Sequence, residues 1–277
     1  MNRRQRPVVT ALAGIGALLA LVVVLFPLYA VIIASFQTND QLIGARFNFW
    51  PPTPTLDNYR DVIDVQGGHI ASTLLIAVGT ALLTLAISLP AAHLLARYRF
   101  RVTAIIVGGL LVAQILPSIV IANSLFLLYH RLDLLNTYAG VILADASYAV
   151  PFAILVVRAF MLGLPTDVLQ AAKVDGAGEW RTFTRIVLPM SRSAIITVAV
   201  FAFLNGWGDF IFALTLLPGS SEMAPITLSI YNYFGQFEQN LGAAMALAVM
   251  GLLPAAMLLI AAQRYIAAGL TLGSVKG

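Results

Sequence analysis

The chain has 277 residues, of which 60% are hydrophobic and 10% charged, and its mean hydropathy is +0.91. A soluble domain of that length cannot hide so much apolar side chain, so the solvent for most of the surface is lipid. The net charge of +4 is not clustered on one surface, which argues against nucleic acid, and the lack of cysteine excludes disulfides and thiolate metal ligands.

Six apolar stretches reach the roughly twenty residues that a helix needs to cross the hydrocarbon core. They occupy residues 8–36, 70–96, 102–128, 137–162, 193–217 and 241–263. The expected fold class is therefore all-α, a single polytopic membrane domain over residues 1–277 with six transmembrane helices. A transmembrane β-barrel would show segments of about ten residues alternating in polarity, and none are visible. Arg3, Arg4 and Arg6 before the first stretch imitate a signal peptide, but the apolar run is too long and no small-x-small cleavage site follows it.

Orientation follows from the cations. Of the 16 Lys and Arg residues only Arg46, Arg60 and Arg131 fall on one side of the six spans, and the rest fall on the other. The positive side is cytoplasmic, so both termini are expected inside and residues 37–69, 129–136 and 218–240 outside.

Residues 163–192, between the fourth and fifth spans, read GLPTDVLQAAKVDGAGEWRTFTRIVLPMSR. Two short cytoplasmic helices are expected. Asp167 suits the first as a cap with Gln170 three residues on, and Gly176 suits its left-handed end. On the second, from about residue 179 to 187, Trp180, Phe183 and Val187 recur at helical spacing, Arg181 and Arg185 take another face, and Pro189 ends the run. Amphipathicity alone allows an interfacial helix on anionic lipid as well as a surface for a protein partner.

The fixed positions narrow that choice. Gln170, Ala171 and Ala172 are followed by three residues and Gly176, then by nine residues and the run Ile186, Val187, Leu188, Pro189. This resembles the EAA loop of ABC-importer permeases. The resemblance implies coupling helices seated in a cytoplasmic ATPase subunit, with Gln170, Ala171, Ala172, Asp175, Gly176, Ala177, Ile186, Leu188 and Pro189 as the coupling residues. Gln170 stands where the family usually has Glu, so the ion pair that a carboxylate would make there is not carried over.

The stretch QRYIAAGLTLGSVKG at residues 263–277 resembles the tail of carbohydrate permeases, and residues 54–63 and 207–214 resemble other runs common among them. The similarity extends over essentially the whole chain. It implies a multi-pass subunit of a sugar importer in the bacterial cytoplasmic membrane. The implied partners are a second permease, an ATPase dimer and an extracytoplasmic sugar-binding protein, besides membrane lipid. Gly273, Val275, Lys276 and Gly277 would form a tail reaching between the ATPase subunits.

The chain is not itself expected to be an enzyme. A phosphate-cradling loop needs Lys followed by Ser or Thr, yet Lys173 precedes Val174 and Lys276 precedes Gly277. ATP and magnesium would then be held by partner ATPase subunits, with no cofactor on this chain. His69, His93 and His130 are too scattered in sequence to point to a metal. An ion-coupled secondary transporter is the alternative, and it should display internal repeats and paired ion sites, neither of which stands out.

Candidate pathway residues are the polar groups inside spans, because burying them in lipid is costly. Gln114 lies in the third span, Asp145 and Tyr148 in the fourth, and Phe201, Asn205, Asp209 and Phe212 in the fifth at helical spacing. Rings with amides and carboxylates suit sugars, and the same groups suit bonding between helices. Thr80, Thr84 and Ser88 read as a packing ridge in the second span.

Overall fold

The computed structural model describes residues 5–43, 48–98, 102–233 and 240–271. Among them there is no β-strand. The helices are α1 (Gln5–Ser35), α2 (Asn39–Ile43), α3 (Asp57–Arg97), α4 (Thr103–Ala113), α5 (Ser118–Arg131), α6 (Tyr138–Leu162), α7 (Thr166–Val174) and α8 (Glu179–Thr182). A π-helical turn (Phe183–Val187) leads into α9 (Leu188–Met190), α10 (Arg192–Trp207), α11 (Ile211–Leu216), α12 (Ile226–Ser229) and α13 (Leu241–Thr271), with short 3-10 turns at Ser221–Met223 and Ile230–Tyr233.

Among the described residues, four helices are long and apolar enough to cross a membrane, or up to six spans if each of two bent pairs counts as one. The expected third span is not straight: α4 and α5 meet at 99°. Pro117 causes the break, since it has no N–H to continue the helix and it turns to an extended ψ of 135°. The expected fifth span is also interrupted, because α10 stops at Trp207 and α11 begins at Ile211. Pro27, Pro90, Pro151 and Pro254, by contrast, lie inside unbroken helices.

The chain divides into two compact units, one made of residues up to Gly67 with Ile230–Leu252, the other of Gly68–Ser229 with the residues from Leu253 onward. In the first unit, Asn58 donates to the carbonyls of Ser35 and Gln37 at 2.9 and 2.8 Å, fixing the end of α1 against the start of α3. Gly242 passes so close that a Cβ there would lie 2.7 Å from the Asn58 amide. The rest of α1 presents its apolar side chains outward, with only 6% of its hydrophobic window buried, a surface suited to lipid or another chain and not to water.

The second unit holds two cores. Ile76, Ala122, Val141, Ala144, Phe212 and Leu216 join α3, α5, α6 and α11, while Ala92, Leu95, Ile154, Val157, Phe183, Val187 and Val198 join α3, α6, the π turn and α10. Small residues allow the close approach. A Cβ on Gly206 would lie 3.0 Å from both Ala77 Cα and Thr80 Oγ1. Thr80, Thr84 and Ser88 are fully buried, as expected of a packing ridge. Residues 218–229 fold onto the early part of this unit: Ile226 N–H donates to Thr73 Oγ1 at 2.8 Å, and the His69 ring bonds the Ala224 carbonyl at 2.7 Å.

Candidate functional site

Helix α7 begins one residue earlier than the expected cap. Pro165 occupies the N-cap position with no side-chain cap bond, and Asp167 falls in the first turn. Its carboxylate there interacts favourably with the helix dipole in place of a capping bond. The other end is built as expected. Gly176 takes φ +72°, its N–H reaches the Lys173 carbonyl at 3.1 Å, and Ala177 N–H reaches the Ala172 carbonyl at 2.9 Å. These paired bonds are a Schellman closure, which is why a glycine followed by a small residue ends the helix. Ala172 is buried against the unit, whereas Gln170, Ala171, Lys173, Val174, Asp175 and Gly176 are exposed.

The second half of the loop departs from a simple amphipathic helix. It starts as α8, widens into the π turn and continues through Pro189 to Met190 before bending 78° into α10. Pro189 therefore does not end the helix. A proline ring crowds the carbonyl four residues back, and the wider turn relieves that clash. The Leu188 N–H bonds Phe183 five residues back. Phe183 and Val187 are buried, and Trp180, whose ring lies 5.7 Å from that of Phe183, is 74% exposed. Ile186 and Leu188 are half-buried, and Pro189 is exposed.

The loop is tied to the end of α3 by contacts that sequence reading missed. Arg97 and Glu179 form an ion pair at 2.9 Å, and the rings of His93 and Phe183 lie 4.8 Å apart. Opposite charges in a chain so poor in charge were the available signal, yet nothing local joins two residues 82 positions apart.

Five of the candidate pathway residues lie where α6 packs on α10 and α11. Phe201 packs on Phe152 with the rings tilted and 4.1 Å apart, Tyr148 meets Phe212 edge-on at 6.3 Å, and Asn205 donates to the Asp145 backbone carbonyl at 3.4 Å. Asp145 is buried with one carboxylate oxygen lacking a protein partner. Asp209 does not continue the α10 face, because the helix ends two residues before it. Its carboxylate accepts the N–H groups of Phe212 and Ala213 at 3.1 and 2.8 Å, while the Thr227 hydroxyl donates to its carbonyl. Gln114 closes α4 at the 99° bend, apart from these pairs. Gly273, Val275, Lys276 and Gly277 of the expected tail lie outside the described residues. Among the described residues no group of three or more His, Cys, Asp or Glu is placed to hold a metal ion.

Comparison with known proteins agrees with this architecture. Residues 85–272 match the family model described as the binding-protein-dependent transport system inner membrane component. The chain is 31% identical over 282 residues to an arabinooligosaccharides transport system permease protein, AraQ, of Halalkalibacterium halodurans, covering 100% of both chains. It is 32% identical over 232 residues to a trehalose transport system permease protein, SugB, of Mycobacterium tuberculosis, covering 82% of this chain and 84% of the relative. Its fold is shared with a chain of a bacterial ABC transporter involved in the import of the acidic polysaccharide alginate, with a TM-score of 0.81, 18% identity, and 96% of this chain and 99% of that chain covered. With its bundle of apolar helices and a helical loop ending in the Gly176 closure, the chain belongs to the family of binding-protein-dependent transport system inner membrane components, the membrane-spanning permeases of ABC importers.

Proposed function

We propose that this chain is one of two permease subunits of an ATP-driven sugar importer in the bacterial cytoplasmic membrane. Its helices make six spans with both termini in the cytoplasm, α4 with α5 forming the third and α10 with α11 the fifth. The observation that carries the reading is the cytoplasmic loop. Its fixed small residues, Ala171 and Gly176, lie exposed beside Gln170, so a partner can approach the backbone closely. Val174, 88% exposed, and Trp180 add an apolar surface that water alone does not favour.

ATP and magnesium belong to a separate ATPase dimer. Nucleotide closes that dimer, the loop moves with it, and the bundle opens outward to accept sugar from an extracytoplasmic binding protein that meets residues 37–69 and 218–240. Hydrolysis restores the inward state, and the tail from Gly273 to Gly277 reaches between the ATPase subunits. A sugar substrate is supported by the names of the arabino-oligosaccharide and trehalose relatives and by the rings and amides of Phe201, Asn205 and Tyr148.

Affinity purification of the chain from its native membrane, followed by mass spectrometry, tests the reading. Wild type is expected to bring down a P-loop ATPase and a second permease, and the Ala171→Asp, Gly176→Asp variant to lose the ATPase alone. Recovery of the wild type without any ATPase would favour an ion-coupled transporter instead.

A further inference from the structure

The C-terminal turn of α3 meets the N-terminal turn of α8. Arg97 lies in the last turn of one and Glu179 in the first turn of the other, so each charge suits its own helix dipole while the two pair at 2.9 Å. The pair is asymmetric, with the Arg97 side chain 12% exposed and that of Glu179 56%. Loss of Glu179 would therefore leave a mostly desolvated guanidinium without its counterion. One turn earlier the His93 ring lies on Phe183, which itself meets Trp180 at 5.7 Å. Arg158 of α6 grips the same end of α3 through the Leu95 carbonyl at 3.1 Å.

Thus the second half of the loop holds α3 at two points a helical turn apart, one ionic and one aromatic. Two such points resist both sliding and rotation, where one would permit a pivot. The wide π turn, a form frequent at functional sites, begins at Phe183, the residue in contact with His93.

We propose that the Arg97–Glu179 pair, together with His93 on Phe183, is the joint that carries movement of the cytoplasmic loop into α3. Arg97 and Glu179 are positioning residues for the transport cycle. The inference rests on the proposed function for the source of that movement. Phe183 and Val187 are buried in one core with Ala92 and Leu95 of α3, so a displacement of α8 is passed to the 41-residue helix through these contacts as well as through the ion pair, beside a cavity lined by His93, Arg97 and Leu169.

Because the chain has no cysteine, spin labels can be placed singly or in pairs. In the assembled transporter in lipid nanodiscs, labels at Leu94→Cys on α3 and Arg181→Cys on α8, both exposed positions, should give one narrow distance. That distance should be the same without nucleotide and with ATP plus vanadate. Arg97→Glu or Glu179→Arg alone should broaden it, and the charge-swapped double variant should restore it. A wild-type distance that shifts between the two states overturns the proposal, as does a single reversal that leaves the distance narrow.

A second label, Leu82→Cys on the exposed side of α3, reads transmission. ATP plus vanadate should change its spectrum in the wild type and in the double swap but not in either single reversal. A purely structural pair would leave the change intact in the single variants, and that result, or a silent label in the wild type, also overturns the joint. Failure of any P-loop ATPase to co-purify with the wild type sinks the proposed function before a label is read.

Discussion

The carboxylate of Asp209 accepts the backbone N–H of Ala213 at 2.8 Å, and with the bond from Phe212 it closes the gap between α10 and α11. Asp209→Ala removes an N-terminal cap inside a buried break and is expected to lower stability by about 1–2 kcal/mol, read from thermal unfolding in detergent. Asp209→Asn retains one acceptor oxygen and should recover part of the loss. If Asn instead unfolds no more easily than wild type yet weakens transport several-fold, Asp209 acts on substrate beyond its capping role.

Gly176 has open space around it but a φ of +72°. An added Cβ meets no neighbour, so the cost of Gly176→Ala is that of the left-handed backbone, about 1–2 kcal/mol. Asn visits that region more readily and should lose less. Thermal unfolding combined with ATPase pull-down separates the two consequences: Ala should weaken both, and Asn should restore the helix end first.

Close packing makes the opposite prediction at Gly206. A methyl there collides with Ala77 and Thr80 backbone and side-chain atoms at 3.0 Å, so Gly206→Ala should destabilise by about 1–3 kcal/mol. Gly108, inside α4 with nothing within 4 Å, is the control. Gly108→Ala should leave the midpoint unchanged or raise it by up to about 1 kcal/mol through helix propensity. Equal responses at the two glycines would contradict the α3 and α10 contact.

Gln170 is exposed beside Ala171 on α7. Gln170→Glu supplies the carboxylate that similar permeases usually carry, and an exposed ion pair is worth about 0.2–1 kcal/mol. ATPase affinity should rise a few-fold in low salt, and the gain should vanish near 1 M salt, where screening is within about 3 Å. Unchanged affinity at low salt would mean that no cation of the ATPase faces this position.

Much of the loop was legible in the sequence because its ends are set locally. Gly176 is required by a left-handed φ, and Ala172 and Ala177 close the helix within one turn. Asp167 was misread as a cap because Pro165 supplies a fixed φ two residues earlier and starts the helix without a side-chain bond. Trp180 keeps to the Phe183 side of the loop, with the two rings 5.7 Å apart, but stands outside the core. The local pattern gave no sign of the π turn, which answers Pro189 just beyond its end. In the pathway helices, Phe201 and Asn205 were placed on one face correctly, but Asp209 lies beyond the end of α10 and bonds forward to α11.

By itself the sequence determined that most of the surface meets lipid, where the apolar runs lie and that α7 closes on Gly176, because hydropathy, length and backbone conformation are properties of neighbouring residues. Only the tertiary structure decided that the third run bends by 99°, that Phe152 and Phe201 pack together, and that Arg97 meets Glu179. A uniformly apolar helix has no marked face, so which side chains it turns toward a neighbour is settled by fit between whole helices and not by any local pattern.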